Sequence, residues 1–347
     1  QIAVDVYYGH DGTDPDIELG DYFTKLELQY LNFKRNKFPK TCRFPGHYIY
    51  SSFLFSKKLY QEVDKKNYDL VYAQGFTSWY FFKRDSFKNN LISNLHGLEM
   101  FQVTINLKNY FQQILLGIPA KKIIRKSALQ VSLGGKLTNL LYSKGAKEAS
   151  VLELSNGIEN SWISIKNIDI AKEHIQSVSF IFIGRYERRK GIKELHQVLN
   201  EILPHLDFEM VFIGPIPQEK QINHSRVRYL GIIKNPDLIK QHLQKADVLI
   251  CPSYSEGMPT VILEAMACGC AIIATDVGAT NVLVDEENGW LLKGNIVNGL
   301  RKAITDATKI SKVELVNKKN NSHKKVKNFT WDKIVQKTLN EFKIKSK

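Results

Sequence analysis

Two glutamates, Glu256 and Glu264, stand with seven residues between them in the stretch Ser255-Glu256-Gly257-Met258-Pro259-Thr260-Val261-Ile262-Leu263-Glu264-Ala265-Met266-Ala267-Cys268-Gly269. A carboxylate accepts hydrogen bonds from two vicinal hydroxyls, and α/β folds often hold a ribose through an acidic residue. An apolar run, Ala246 to Cys251, precedes the stretch and another, Ala271 to Thr275, follows it. The pattern predicts strand, tight loop, helix, strand. Pro259 is expected as the first helical residue, where its missing N–H costs nothing, and Gly269 as the left-handed stop. The free amides and positive dipole end of the helix then face the loop as an anion site. Glu264 lies more than a turn into the helix and Glu256 lies before it. The arrangement suits a phosphate flanked by two hydroxyl-rich rings.

A second cluster supplies the opposite charge. Val178 to Gly184 is an apolar run ending in Gly, the pattern of a buried parallel strand. It leads into Arg185-Tyr186-Glu187-Arg188-Arg189-Lys190-Gly191 and then an amphipathic helix from Ile192 to about Leu203. Arg185 at the strand end and Lys190 at the helix start would face the crevice outside the carboxyl ends of the strands. There they could neutralise a diphosphate, Arg through its planar fork and Lys as a point charge. Arg188 and Arg189 read as part of a solvated charged turn.

These two segments together resemble the family-four retaining glycosyltransferases of the GT-B fold, whose signature pairs an E-x7-E loop and helix with an upstream Gly-Arg…Lys-Gly segment. The resemblance runs over most of the chain and is densest from about residue 177 to 292. It implies two Rossmann-like domains facing a cleft, with boundaries near 1–157, a linker at 158–176, a nucleotide-sugar-binding domain at 177–325 and a terminal helix at 326–347 packing back toward the first domain. It implies that Arg185 and Lys190 hold the diphosphate of a nucleotide sugar, that Glu264 holds the ribose diol, and that Glu256 holds a hydroxyl of the transferred sugar. The amides of Gly257, Met258, Pro259, Thr260 and Val261 would surround sugar and phosphate, Pro259 having no N–H of its own to give. Strands at Phe208–Ile213 and Val227–Leu230 lead to Gly214 and Ile232, which match family segments lining the nucleobase pocket. The implied reaction is metal-independent transfer with retention, using no cofactor beyond the nucleotide sugar. The implied acceptor is a hydroxyl, for instance one on a lipid-linked acceptor or a growing polysaccharide, in surface-polysaccharide or glycolipid assembly.

In the amino-terminal half, Asp69 to Gln74, Asn90 to Leu95, Ala128 to Leu133 and Val151 to Leu154 read as strands. The second ends at His96-Gly97-Leu98-Glu99, which points a histidine at a cleft. The resemblance places His96 against the transferred sugar, positioning or polarising it; Glu99 reads as a helix-start residue. Asn156-Gly157 is a turn signal at the implied hinge. The chain opens with a strand at Ile2 to Tyr8, a turn-rich loop, and an alternating stretch from Lys25 to Leu31 that reads as another strand. Against the resemblance, the chain is expected to lack the first strand, glycine-rich loop and first helix of the amino-terminal domain, the alternative being a divergent start to a complete fold. Asp14-Pro15-Asp16 has the D-x-D spacing of metal-dependent glycosyltransferases, but Pro in a turn cluster reads as a simple loop. From Phe329 to Phe342 helical spacing puts Trp331, Ile334, Val335, Thr338 and Leu339 on one apolar face.

Composition narrows the classes. The chain has 347 residues, 43% hydrophobic and 24% charged, enough for two α/β domains with cores. No apolar run approaches a membrane span. Cys42, Cys251, Cys268 and Cys270 show no zinc spacing, and read as free thiols in a reducing cytoplasm. The formal charge of +14 suits nucleic acid, anionic membrane or anionic substrate, and no nucleic-acid motif supports the first. Lys121, Lys122, Arg125 and Lys126 follow Tyr110-Phe111 closely. That is either an interfacial surface facing anionic lipid on the inner face of the membrane or a solvated helix face. Two rival functions stand beside the transferase: a non-catalytic nucleotide-sugar binder and a sugar-nucleotide epimerase of similar architecture. Donor base, sugar and acceptor are not readable from these motifs.

Overall fold

The computed structural model describes residues 2–10, 23–41, 46–83, 91–104, 107–163 and 177–345. Asp14-Pro15-Asp16, Cys42 and most of the expected linker lie outside them. In chain order the elements are β1 Val4–His10, α1 Lys25–Leu28, β2 Leu31–Lys37, α2 His47–Val63, β3 Val71–Gln74, β4 Leu91–Asn94, α3 Leu107–Lys126, β5 Leu129–Ser132, α4 Lys136–Ser143 and β6 Val151–Glu153. There follow β7 Val178–Ile183, α5 Ile192–Ile202, β8 Phe208–Ile213, β9 Val227–Tyr229, α6 Pro236–Lys245, β10 Val248–Cys251, α7 Thr260–Ala267, β11 Ala271–Thr275, α8 Thr280–Leu283, β12 Gly289–Leu292, α9 Ile296–Lys309, α10 Lys312–Val326 and α11 Trp331–Lys345. The chain divides into two compact units, one of residues 1–95, 114–130 and 144–150, the other of residues 96–113, 131–143 and 151–347.

In the first unit β1 and β2 pair in parallel, Val4 opposite Leu31 and His10 opposite Lys37. The stretch Lys25 to Leu31, expected as a strand, is instead the one-turn helix α1, and the strand begins only at Leu31. The reason is a capping box: Thr24 Oγ1 accepts from the Glu27 amide at 3.3 Å while Glu27 Oε2 accepts from the Thr24 amide at 2.7 Å. Strand β3 pairs with β4 in parallel. Helix α2 packs aromatic residues against the turns after β3, with Phe53 5.2 Å from Trp79 and Tyr60 edge-on to Phe81 at 5.3 Å.

The second unit is built on a six-stranded sheet in the order β12-β11-β10-β7-β8-β9, all parallel. Counted from β7, this is the doubly wound order 3-2-1-4-5-6, whose switch point lies between β7 and β10. Strands β10 and β11 are buried throughout, as their unbroken apolar runs require. Helix α5 buries Ile192, Leu195, Val198, Leu199 and Ile202 on one stripe, and α9 buries Leu300, Ala303, Ile304 and Ala307. Each large side chain so buried contributes about 1.5–3 kcal/mol. Phe180 and Phe208 meet edge-on at 5.4 Å beneath α5. Helix α11 forms where its periodicity places it, but of its expected apolar face only Ile334 is buried; Trp331, Val335 and Leu339 are exposed. No helix among the described residues is long and apolar enough to cross a membrane.

One buried ion pair anchors the amino edge of this sheet. Lys319 of α10 donates to Asp247 Oδ1 at 2.9 Å, and Asp247 Oδ2 accepts from the Ser179 amide at 2.9 Å and its hydroxyl at 3.0 Å. Both charges are nearly sealed from water, at 5% and 7% exposure. Lys319→Met would strand a buried carboxylate and should cost about 3–5 kcal/mol of unfolding free energy, read as a lowered urea midpoint with unchanged slope. A loss below about 1 kcal/mol would show that the pair is solvated.

Candidate active site at the switch point

The carboxyl ends of β7 and β10 bring the two sequence clusters together. After β10 the chain turns through Pro252, Ser253 and Tyr254 to Glu256, which is 7% exposed. Its Oε1 accepts from Lys190 Nζ at 2.6 Å and from Ser253 Oγ at 2.7 Å. Arg189 Nη1 lies 3.8 Å from Oε2. A buried carboxylate is tolerated only when paired and hydrogen-bonded, and these groups satisfy it. The Ser253 carbonyl is held by the Thr275 hydroxyl of β11.

The segment between β7 and α5 is more ordered than a solvated turn. Residues 188–190 form a 3-10 turn. Arg188 pairs with Glu194 at 2.7 Å and stacks over the Tyr254 ring at 4.7 Å. Arg189 donates to Glu187 at 3.1 Å and its carbonyl accepts from the Tyr254 amide at 2.8 Å. The solvated reading of both arginines is therefore corrected: they fasten the 185–191 loop to the Glu256 loop. Arg185 is the most exposed of the three arginines, its side chain 65% accessible and paired with Glu187 at 2.9 Å.

Helix α7 starts at Thr260, with Pro259 as its extended N-cap rather than its first helical residue. Ile262 is the first amide with a backbone partner, the Pro259 carbonyl at 3.1 Å. The Thr260 and Val261 amides precede it, in the first turn where no intrahelical acceptor exists. Met258 is buried and pinned by Asn156, whose side chain donates to the Met258 carbonyl at 3.0 Å. At the other end Gly269 has φ 83°, its amide meets Met266 O at 3.1 Å, and Cys270 N meets Ala265 O at 2.9 Å. That is the Schellman closure that the glycine implied. Glu264 sits half-buried inside the helix, and burial holds its carboxyl pKa above the ordinary value.

His96 follows β4 with φ 57°, and Leu98 has φ 52°, a left-handed turn uncommon for such residues. The ring reaches solvent, yet desolvation by the surrounding protein lowers its pKa, with Glu99 acting the other way. The turn lies against the Glu256 loop: a Cβ on Gly97 would stand 3.1 Å from the Gly257 Cα. Gly214, after β8, donates to the Gly231 carbonyl at 2.8 Å, while Ile232 is exposed at 65%. The free thiols Cys251 and Cys270 are buried and Cys268 is half-buried; burial pushes the Cys251 thiol up to about 12, so none is a reactive thiolate. Sequence reading missed Ser253, Gln102, whose side-chain amide reaches the Glu256 carbonyl at 2.6 Å, and Gly278. No motif marks the first two.

Gly191 is where backbone geometry is least replaceable. It has φ 66°, and a Cβ would fall 1.9 Å from the Pro252 carbonyl oxygen. Gly46 has φ 83° with nothing within 4 Å. Gly46→Ala should cost about 1–2 kcal/mol from φ alone. Gly191→Ala should cost at least twice that, because the loop carrying Lys190 must shift as well. Equal losses in chemical denaturation would mean that Gly191 does not touch the Glu256 strand end.

Residues 177–309 match the family model described as glycosyl transferases group 1. The chain is 34% identical over 125 residues to a putative teichuronic acid biosynthesis glycosyltransferase of Bacillus subtilis, covering 36% of this chain and 31% of that protein. It spans 31%, 45% and 44% of the lengths of the first three curated relatives it matches. In fold it is similar to sucrose-phosphate synthase from Thermosynechococcus elongatus, with TM-score 0.77 at 19% identity over 98% of this chain and 88% of that one. It is also similar to Anabaena HepE in complex with UDP-glucose, with TM-score 0.63 at 17% identity over 92% and 88%. The doubly wound sheet belongs to a chain with the fold of these solved structures, and residues 177–309 are similar to glycosyl transferases group 1.

Proposed function

We propose that this chain is a retaining glycosyltransferase that moves a sugar from a nucleotide-diphosphate sugar to a hydroxyl acceptor in surface-polysaccharide or glycolipid synthesis. The observation that carries the reading is the Lys190–Glu256 pair, 2.6 Å apart at the amino end of α7. It puts a cation, a carboxylate and unpaired helix amides at one point of the switch crevice. The diphosphate takes Lys190, Arg185 and the first-turn amides of α7; Glu264 takes the ribose hydroxyls; Glu256 takes a hydroxyl of the transferred sugar. His96, neutral near pH 7 because its pKa is lowered, hydrogen-bonds the sugar beside its reacting carbon. Gly214 and Ile232 flank the nucleobase.

The chemistry follows from what these groups can do. The bond from the anomeric carbon to the diphosphate oxygen breaks and negative charge grows on the leaving phosphate. Lys190, Arg185 and the helix amides stabilise that charge without waiting for solvent to reorganise, the role that a divalent ion plays elsewhere. With the donor bound, Glu256 Oε1 keeps the Ser253 hydrogen bond and the carboxylate takes a sugar hydroxyl, which makes it a poor nucleophile. The acceptor oxygen therefore attacks from the face the diphosphate leaves, and its proton passes to the departing phosphate oxygen. Same-face attack retains the anomeric configuration.

Glu256→Ala should lower kcat about a hundredfold or more, and Arg185→Ala should weaken donor affinity about tenfold along with turnover. The product anomer, read by NMR in the presence of a chelator, should match that of the donor. Full activity in both variants would break the site assignment, and an inverted or chelator-sensitive product would break the mechanism.

A lipid-linked acceptor fits the surface of α3. Ile114, Leu115 and Ile118 are exposed there, beside exposed Lys121, Arg125 and Lys126. An apolar stripe beside cations suits an anionic bilayer surface, each cation contributing about 1 kcal/mol. Changing Lys121, Lys122, Arg125 and Lys126 to Glu should abolish sedimentation with anionic liposomes; unchanged sedimentation would remove the membrane from this account.

A further inference from the structure

The candidate site is assembled from two segments that are 160 residues apart in sequence, the His96–Gly97 turn and the Glu256–Gly257 loop, and one side chain joins them. The half-buried amide of Gln102 donates through Nε2 to the Glu256 carbonyl at 2.6 Å and also to the Gly97 carbonyl. Gln102 is itself held. Gln113, in the first turns of α3, donates to the carbonyls of Glu99 at 3.0 Å and Gln102 at 3.2 Å, and accepts from the Thr104 hydroxyl. The Glu256 and Gly257 carbonyls are also approached by Gly278, whose Cβ would fall 2.2 Å and 2.4 Å from them, and Ala279 N donates to Gly257 O at 2.8 Å. The Glu256 peptide is thus held by backbone packing at Gly278 and by one side-chain amide, that of Gln102.

We propose that Gln102 is a positioning residue that sets the separation of His96 and Glu256. Two carbonyl acceptors converge on one NH2, and only a side-chain amide supplies two protons there with no charge. Without it, two carbonyl oxygens in the 96–97 turn and the 256 loop lose their shared donor, and the left-handed backbone at His96 and Leu98, which is costly for non-glycine residues, relaxes. The nucleotide-diphosphate groups, Lys190, Arg185 and the α7 amides, are not touched. The effect therefore falls on the reacting sugar and spares the diphosphate. This role rests on the transferase reading of the site.

The test uses Gln102→Leu and Gln102→Glu in the full chain. Hydrogen–deuterium exchange of peptides covering 96–102 and 255–259 reports the clamp directly, whatever the reaction catalysed. Exchange should rise in both peptides in Gln102→Leu, with nucleoside-diphosphate affinity within about twofold of wild type and kcat down at least about tenfold, a loss of about 1.4 kcal/mol or more in transition-state stabilisation. Gln102→Glu should recover activity as pH falls, because the protonated carboxyl regains one donor while the carboxylate repels both carbonyls. Unchanged exchange overturns the clamp. Raised exchange with unchanged kcat overturns its positioning role. A wild-type chain that transfers no sugar from any donor would overturn the proposed function and with it this role, while exchange still decides the clamp.

Discussion

The carboxylate of Glu256 is buried where two parallel strands diverge, and a buried carboxylate must be paired. Much of the second unit's local structure serves that requirement. Lys190 reaches it because Gly191 lets the preceding turn close against the Pro252 carbonyl. Ser253 reaches it because its own carbonyl is held from β11. Arg188 and Arg189 hold the lysine loop down against Tyr254 and Glu187. The doubly wound order fixes where all this happens, since only between β7 and β10 do successive crossovers leave the sheet on opposite faces and open a crevice at the carboxyl ends.

Lys190 directs its charge at Glu256, 2.6 Å away. A diphosphate brings more negative charge than one carboxylate, so the same ammonium can bind it while Glu256 turns to a sugar hydroxyl. On this account the ion pair is a placeholder that keeps both groups aimed at the helix start, at little reorganisation cost. Glu264 complements it. Burial raises its pKa, and hydroxyl donors from a ribose would relieve that penalty.

Much of this was legible in the sequence because it rests on local signals. The apolar runs of β7, β8, β10 and β11, the amphipathic stripe of α5 and the glycine closing α7 were all readable from periodicity and turn chemistry; Lys190 and Glu256, expected around one ligand, do meet. Two misreadings came from letting one signal outweigh another. Alternation over Lys25 to Leu31 hid the Thr24–Glu27 capping box, a four-residue signature in plain view. The charge run at Arg188–Arg189 looked solvated because its partners, Glu194 and Tyr254, cannot be paired by spacing alone. Gln102 was not legible at all: an amide that bridges carbonyls at positions 97 and 256 leaves no trace in local pattern, only in the fold that brings them together.

The central claim is that Lys190 is shared between Glu256 and a phosphate. Isothermal titration of a nucleoside diphosphate into the wild type, Lys190→Ala and Glu256→Ala tests it most directly. The account predicts that Lys190→Ala weakens binding at least about tenfold, while Glu256→Ala leaves it unchanged or tightens it, because the carboxylate no longer competes for the ammonium. Equal weakening in both variants, or no loss in Lys190→Ala, would contradict it.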